Sequence, residues 1–141
     1  MKIAVIDGQG GGIGRLIVEA LRRALPAGAA IVALGTNAIA TRLMLKAGAD
    51  EGATGENAII VNAGKADIIA GVIGVISANS MLGELTPNMA RAISESPAEK
   101  LLIPLNRCNI EIVGIDGGLT VSDMAEMLAA KVRSRLAAPE D

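Results

Sequence analysis

The sequence predicts a doubly wound α/β fold with a mostly parallel sheet of five to six strands. Three observations predict it. Short apolar runs closed by Gly, Asp or Asn alternate with stretches of helical spacing along the whole chain. The chain opens on Ile3 to Ile6, an apolar run without alternation, which is how a parallel strand buried on both faces reads. That run stops at Asp7, and five glycines follow within the seven residues Gly8 to Gly14. Apolar residues then recur at Ile13, Leu16, Ile17, Ala20, Leu21 and Leu25, the stripe of an amphipathic helix. Strand, glycine loop and helix together are the opening of a Rossmann-like domain.

The remaining elements follow in order. The first helix should end near Ala24-Leu25, before the breaker cluster Pro26-Ala27-Gly28. Ala30 to Leu34 reads as the second strand, with Thr36 or Asn37 capping the next helix and Gly48 ending it. Ala49 to Thr54 holds a short third strand or an extended link, and Glu56 to Ala66 reads as a helix. Asp67 to Val72 is the fourth strand. Gly74 to Glu84 gives a weaker signal, with a helical turn around Asn79-Ser80-Met81. Thr86-Pro87 marks a helix start, with Thr at the cap and Pro in the first turn. Lys100 to Leu105 reads as the fifth strand and Ile110 to Ile115 as a sixth. Thr120 and Asp123 form a capping-box pair at the start of the last helix. Residues 1–136 are expected to be a single nucleotide-binding domain, with a tail over 137–141.

Composition narrows the function. Net charge is −2 and no aromatic residue is present, so neither a basic patch nor a base-stacking platform for nucleic acid is implied. There is no His, and the single Cys makes an internal disulfide impossible. The uncharged stretch Ile68 to Gly83 falls short of the roughly 20 residues of a membrane span. No partner of either kind, nucleic acid or membrane, is expected, and the N-terminus has no signal-peptide pattern, which leads to a cytoplasmic expectation. Hydrophobic content is 51% and mean hydropathy +0.48, high enough to expect a homodimer that buries apolar surface. The segment Val72 to Leu85 is the candidate interface, because Met81 and Leu82 have no evident core to enter.

The candidate cofactor site is the glycine loop: Gly8, Gln9, Gly10, Gly11, Gly12, Ile13 and Gly14. Glycines let a backbone approach a pyrophosphate closely, and a helix N-terminus offers unpaired N–H groups. The P-loop pattern is absent and the plain G-x-G-x-x-G pattern does not fit. What fits is G-x-x-x-G-I-G, which resembles the glycine loop of the short-chain dehydrogenases, with Asp7 where that family has Thr. That resemblance implies a nucleotide, NAD or NADP first, but the family's catalytic Tyr-x-x-x-Lys has no counterpart in a chain without Tyr. Asp7 beside phosphates would repel them, so it is expected to cap loop N–H groups, or else to hold Mg²⁺.

Ligands of such sheets bind outside the carboxyl ends of the strands. Thr36 and Asn37 stand there after the second strand, where a ribose-binding acid is missing. They are candidates for the ribose, and Arg42 for a 2′-phosphate. Gly71, Asn79 and Ser80 stand after the fourth strand, with Glu84 closing the polar island Ser77 to Glu84. Asn62-Ala63-Gly64 matches a dehydrogenase motif but falls in a stretch that reads as helix. Cys108, between Arg107 and Asn109, is the one candidate nucleophile among thiols.

Lys2 to Gly14, Ala33 to Thr41, Ala53 to Ala58, Ala78 to Glu84 and Ile103 to Asn109 together resemble a family of short bacterial proteins of unknown function. The resemblance spans nearly the whole chain. It implies a bacterial cytoplasmic protein and assigns no catalytic residue. Three functions are compatible with the sequence: an NAD(P)-binding oxidoreductase subunit or redox-responsive regulator, a small enzyme acting on a phosphorylated or nucleotide substrate through Asp7 with Mg²⁺ and Cys108 or Glu84, or an assembly protein whose glycine loop only packs.

Overall fold

The structure, a computed structural model, describes residues 1–105, 109–115 and 117–137. Ten elements alternate: β1 (Lys2–Asp7), α1 (Gly12–Ala24), β2 (Ala30–Gly35), α2 (Ala38–Ala47), β3 (Glu51–Thr54), α3 (Glu56–Ala63), β4 (Ile68–Val72), α4 (Pro87–Glu95), β5 (Glu99–Ile103) and α5 (Val121–Ala137). The strands form one parallel sheet in the order β3-β2-β1-β4-β5. This is the doubly wound, Rossmann-like arrangement that the alternation predicts.

The order follows from the pattern of burial. β1, β2 and β4 carry near-continuous apolar runs and lie at the centre, where both sheet faces are covered. β3 is short and mostly exposed, and it forms one edge. α1 packs against α2 and α5, while α3 packs against α4, so helices cover both faces of the sheet. The buried stripe of α1 consists of Gly14, Ile17, Val18, Ala20 and Leu21. Ile3, Ile6, Ile17, Leu21, Ile31, Leu34, Ile59 and Ile69 are wholly buried in one core built without a single aromatic ring. Each such side chain contributes about 1.5–3 kcal/mol relative to exposure.

Register decides what meets at the sheet's carboxyl edge. Asp7 pairs with Gly35 across β1 and β2, and Val5 pairs with Ala70 across β1 and β4. The glycine loop, the β2 exit at Thr36-Asn37 and the β4 exit at Val72 therefore emerge side by side. The chain turns from the β2 side to the β4 side of β1 at this point, and the reversal opens a crevice there.

Two readings need correction. Ile110 to Ile115 is not a sixth strand. Asn109 (φ 57°) and Gly114 (φ 91°) bracket it with left-handed turns, and its side chains stay largely in solvent, with Val113 96% exposed. Among the described residues the run pairs with no strand of the sheet, so its β-branched residues have nothing to fix them. Met81 also does enter the core boundary: it is half-buried against the core, whereas Leu82 beside it is 97% exposed. Smaller differences concern element ends. The helix predicted to Ala66 stops at Ala63, which puts Asn62-Ala63-Gly64 on its last turn, and α5 runs through Ala137. Cys108, Arg107 and the tail residues 138–141 lie outside the described residues.

Candidate functional site at the carboxyl edge

Asp7 is the hinge between β1 and the glycine loop. Its side chain is buried, and its two oxygens accept different N–H groups: Oδ1 that of Gly8 at 2.8 Å, Oδ2 that of Gly14 at 2.6 Å. This is the capping role expected for it. Among the described residues, no group of three or more His, Cys, Asp or Glu is placed to hold a metal ion.

The glycines divide into two kinds. Gly8, Gly11 and Gly14 are needed by the fold. A Cβ on Gly8 would lie 2.5 Å from Thr36 Oγ1 and 2.6 Å from Met81 Sδ. On Gly14 it would lie 2.7 Å from both Asp7 and Met44. Gly11 has φ +73°, and its Cβ would sit 2.7 Å from the Ala40 backbone. Gly10 and Gly12 are different: among the described residues, a Cβ on either would meet no atom within 4 Å. Neither packing nor a left-handed backbone calls for glycine at these two positions.

Both of them line a cavity of about 290 Å³ at the junction of β1 and β4. The loop from Asp7 to Ile13 forms one wall. Val72, Ile73, Gly74, Ser80, Met81 and Leu105 form the rest. Among the described residues, the N–H groups of Gly10, Gly12 and Ile13 have no hydrogen-bond acceptor. The N–H groups of Gly11 and Arg15 are engaged by the loop's own carbonyls. These three donors, at or just before the N-terminus of α1, belong to residues that line a concave, partly apolar space, a setting that suits an anionic group carried on a larger ligand.

The other side of the loop is occupied by Glu84. Its Oε1 accepts the Gln9 N–H at 2.9 Å, the Thr36 hydroxyl at 2.7 Å and the Asn37 amide at 2.8 Å. These donors, the Gln9 N–H first, hold the Glu84 carboxyl below its ordinary pKa. Asn37 also donates to the Gln9 carbonyl, and its Oδ1 caps α2 by accepting the Ala40 N–H. So the β2 exit does have an acid beside it, supplied from a distant segment rather than from the residues just after β2. The sequence offered one signal for it: Glu84 is the first charged residue after Asp67.

Glu84 belongs to a tight loop between β4 and α4. Ser80 is buried and donates to the Gly74 carbonyl at 2.6 Å, and the Asn79 N–H donates to Leu85 at 2.8 Å. Asn79, Met81 and Leu82 have φ of 65°, 58° and 56°, so three non-glycine residues adopt the left-handed conformation within four positions. Such clusters of unfavourable backbone persist where surrounding contacts impose them, and they concentrate at ligand sites.

Of the sequence-predicted site residues, Gly8, Gln9, Gly10, Gly11, Gly12, Ile13 and Ser80 line the cavity together. Thr36 and Asn37 sit across the loop on Glu84. Gly71 lies inside β4, where a Cβ would meet the Ile6 carbonyl at 2.8 Å. Asn79 is exposed, and Arg42 is exposed on α2. Val72, Ile73, Gly74, Met81 and Leu105 joined the cavity wall without having been singled out in the sequence as ligand contacts.

Comparison with known proteins adds the following. A family model described as "Domain of unknown function (DUF3842)" matches residues 2–137. No curated protein matches the chain. Among solved structures, one described as a dodecameric FMN-dependent UbiX-like decarboxylase from Escherichia coli O157:H7 is similar at a TM-score of 0.47 and 16% identity, over 95% of this chain and 76% of that one. No described helix is long and apolar enough to cross a membrane.

Proposed function

The chain belongs to the DUF3842 family, whose function is unknown, and from its site we propose that it is a nucleotide-binding protein. The phosphate of the ligand rests on the N–H groups of Gly10, Gly12 and Ile13. The observation that carries this reading is the pair Gly10 and Gly12, cavity-lining glycines at which an added Cβ would meet none of the described residues within 4 Å. A phosphate approaching the N-terminus of α1 needs that clearance.

NAD and NADP are the finer form of the reading that the glycine loop suggests, with the protein an oxidoreductase subunit or a redox-responsive regulator. The residues present fit a phosphate group. When bound, a nicotinamide would supply hydride chemistry, and this chain's part would be to hold and orient the nucleotide. The homodimer expected from composition is part of the same proposal, with Leu82 at its contact.

Calorimetric titration of AMP, FMN, NAD⁺ and NADP⁺ into the protein tests nucleotide binding directly. Saturable binding of at least one of them is expected, and it should be lost in Gly12→Val. Absence of binding by all four would refute the proposal and leave the loop a packing device.

A further inference from the structure

Glu84 sits on the β2 side of the glycine loop, bonded to Gln9, Thr36 and Asn37. In a doubly wound fold the two halves of a dinucleotide extend to either side of the loop after β1, one toward β2 and the other toward β4. Here the two sides differ. Toward β4 the loop opens on the cavity of about 290 Å³, with three N–H groups on its lining residues that no acceptor among the described residues engages. Toward β2 the groups that would receive a ribose are already bonded: the Gln9 N–H, the Thr36 hydroxyl and the Asn37 amide all converge on one oxygen of Glu84. Met81, three residues earlier, covers Gly8 so closely that a single added carbon there would collide with its sulfur.

We propose that Glu84 sets the size class of the ligand: by latching the Ser77–Leu85 segment across the loop, it leaves room for one nucleotide unit on the β4 side and closes the β2 side to a second. The proposal rests on the nucleotide-binding reading but departs from the NAD(P) form that the glycine loop alone suggests, and assigns the site to mononucleotides. The cavity volume agrees, since it stands at the small end of ligand pockets, which begin at about 300 Å³. Charge acts in the same direction. A carboxylate fixed on the β2 side repels a further phosphate, whether of a pyrophosphate displaced toward it or of a 2′-phosphate.

The test is calorimetric titration of the full chain and of Glu84→Ala and Glu84→Gln with AMP, FMN, NAD⁺ and NADP⁺. For the wild type, AMP or FMN should bind at least about tenfold more tightly than either dinucleotide, a difference of about 1.4 kcal/mol. Glu84→Ala should narrow that gap by admitting NAD⁺, whereas Glu84→Gln, which keeps the size and the accepting oxygen, should preserve it against NAD⁺. Wild-type protein that binds NAD⁺ as tightly as AMP and FMN would overturn the size limit, with nucleotide binding itself intact. A gap unchanged in Glu84→Ala would overturn the role of Glu84. If neither mononucleotide nor dinucleotide binds, the underlying reading falls and this one with it. The wild-type comparison does not depend on either variant folding.

Discussion

The Asp7 carboxylate accepts the Gly14 N–H at 2.6 Å, and this bond ties the last residue of β1 to the first turn of α1. Its second oxygen holds Gly8, so one side chain fixes both ends of the glycine loop. Replacing Asp7 by Ala leaves two N–H groups in a buried site without that acceptor. The expected loss of stability is on the order of 1–3 kcal/mol. Asp7→Asn should also be destabilising, since its NH₂ group cannot accept the N–H that it faces. Urea unfolding followed by circular dichroism measures this, and unchanged midpoints would show that the loop holds its shape without the carboxylate.

Gly10 and Gly12 separate stability from binding. Gly10→Ala and Gly12→Val add a Cβ where none of the described residues has an atom within 4 Å. Both proteins should fold with stability within about 1 kcal/mol of the wild type. Nucleotide affinity should fall by tenfold or more, because the new carbons fill the space that a phosphate needs. Gly11→Ala should behave in the opposite way, losing at least about 1 kcal/mol of stability through its left-handed backbone and the nearby Ala40. Equal effects of all three on folding would remove the distinction between packing glycines and ligand glycines.

Acid should release the latch. The folded pKa of Glu84 is depressed below its ordinary value of 4.5, first by the Gln9 N–H and then by Thr36 and Asn37. Its contribution to stability is therefore fully present above pH 4.5 and disappears as pH falls through the depressed folded value. Asp50, lowered by the Ile31 N–H and by Arg22, acts in the same direction below 3.8. Wild-type stability should decline across this acid range, and Glu84→Gln should decline less steeply. Urea midpoints measured between pH 3 and pH 6 give the comparison. Parallel curves would mean that the Glu84 bonds contribute nothing net.

Leu82 tests the assembly. Its side chain is 97% exposed although the neighbouring Met81 is half-buried. Leu82→Asp should leave the unfolding midpoint of the isolated chain nearly unchanged, because surface substitutions typically move stability by less than about 0.5 kcal/mol. Light scattering should show a dimer for the wild type and weaker association for Leu82→Asp. A wild-type monomer at high concentration would refute the dimer, and a dimer indifferent to the substitution would place the contact elsewhere.

The fold could be read from the sequence wherever local chemistry decides it. Thr86-Pro87 marks a helix start by itself, and the structure has the Thr86 hydroxyl accepting the Met89 N–H. Thr120 and Asp123 exchange the two bonds of a capping box, as their spacing predicts. The unbroken apolar runs of β1 and β4 signal burial on both faces. Ile110 to Ile115 shows the limit of such reasoning: strand propensity without a neighbouring strand to pair with produces no strand. The candidate site divides in the same way. The glycine loop is a local pattern and was readable. The convergence of Thr36 and Asn37 on Glu84 joins residues 48 and 47 positions apart, and no local pattern encodes it.

The absence of aromatic side chains has an optical consequence. The apolar side chains on the cavity, Val72, Ile73, Met81, Leu105 and Ile13, are aliphatic or sulfur-containing, and the sequence has no ring to stack on a base. The polypeptide is also nearly transparent in the near ultraviolet, where Trp and Tyr dominate other proteins. Adenine or flavin bands observed during a titration therefore belong to the ligand alone. A shift in those bands will report the polarity of an aliphatic cleft rather than charge transfer to a neighbouring ring.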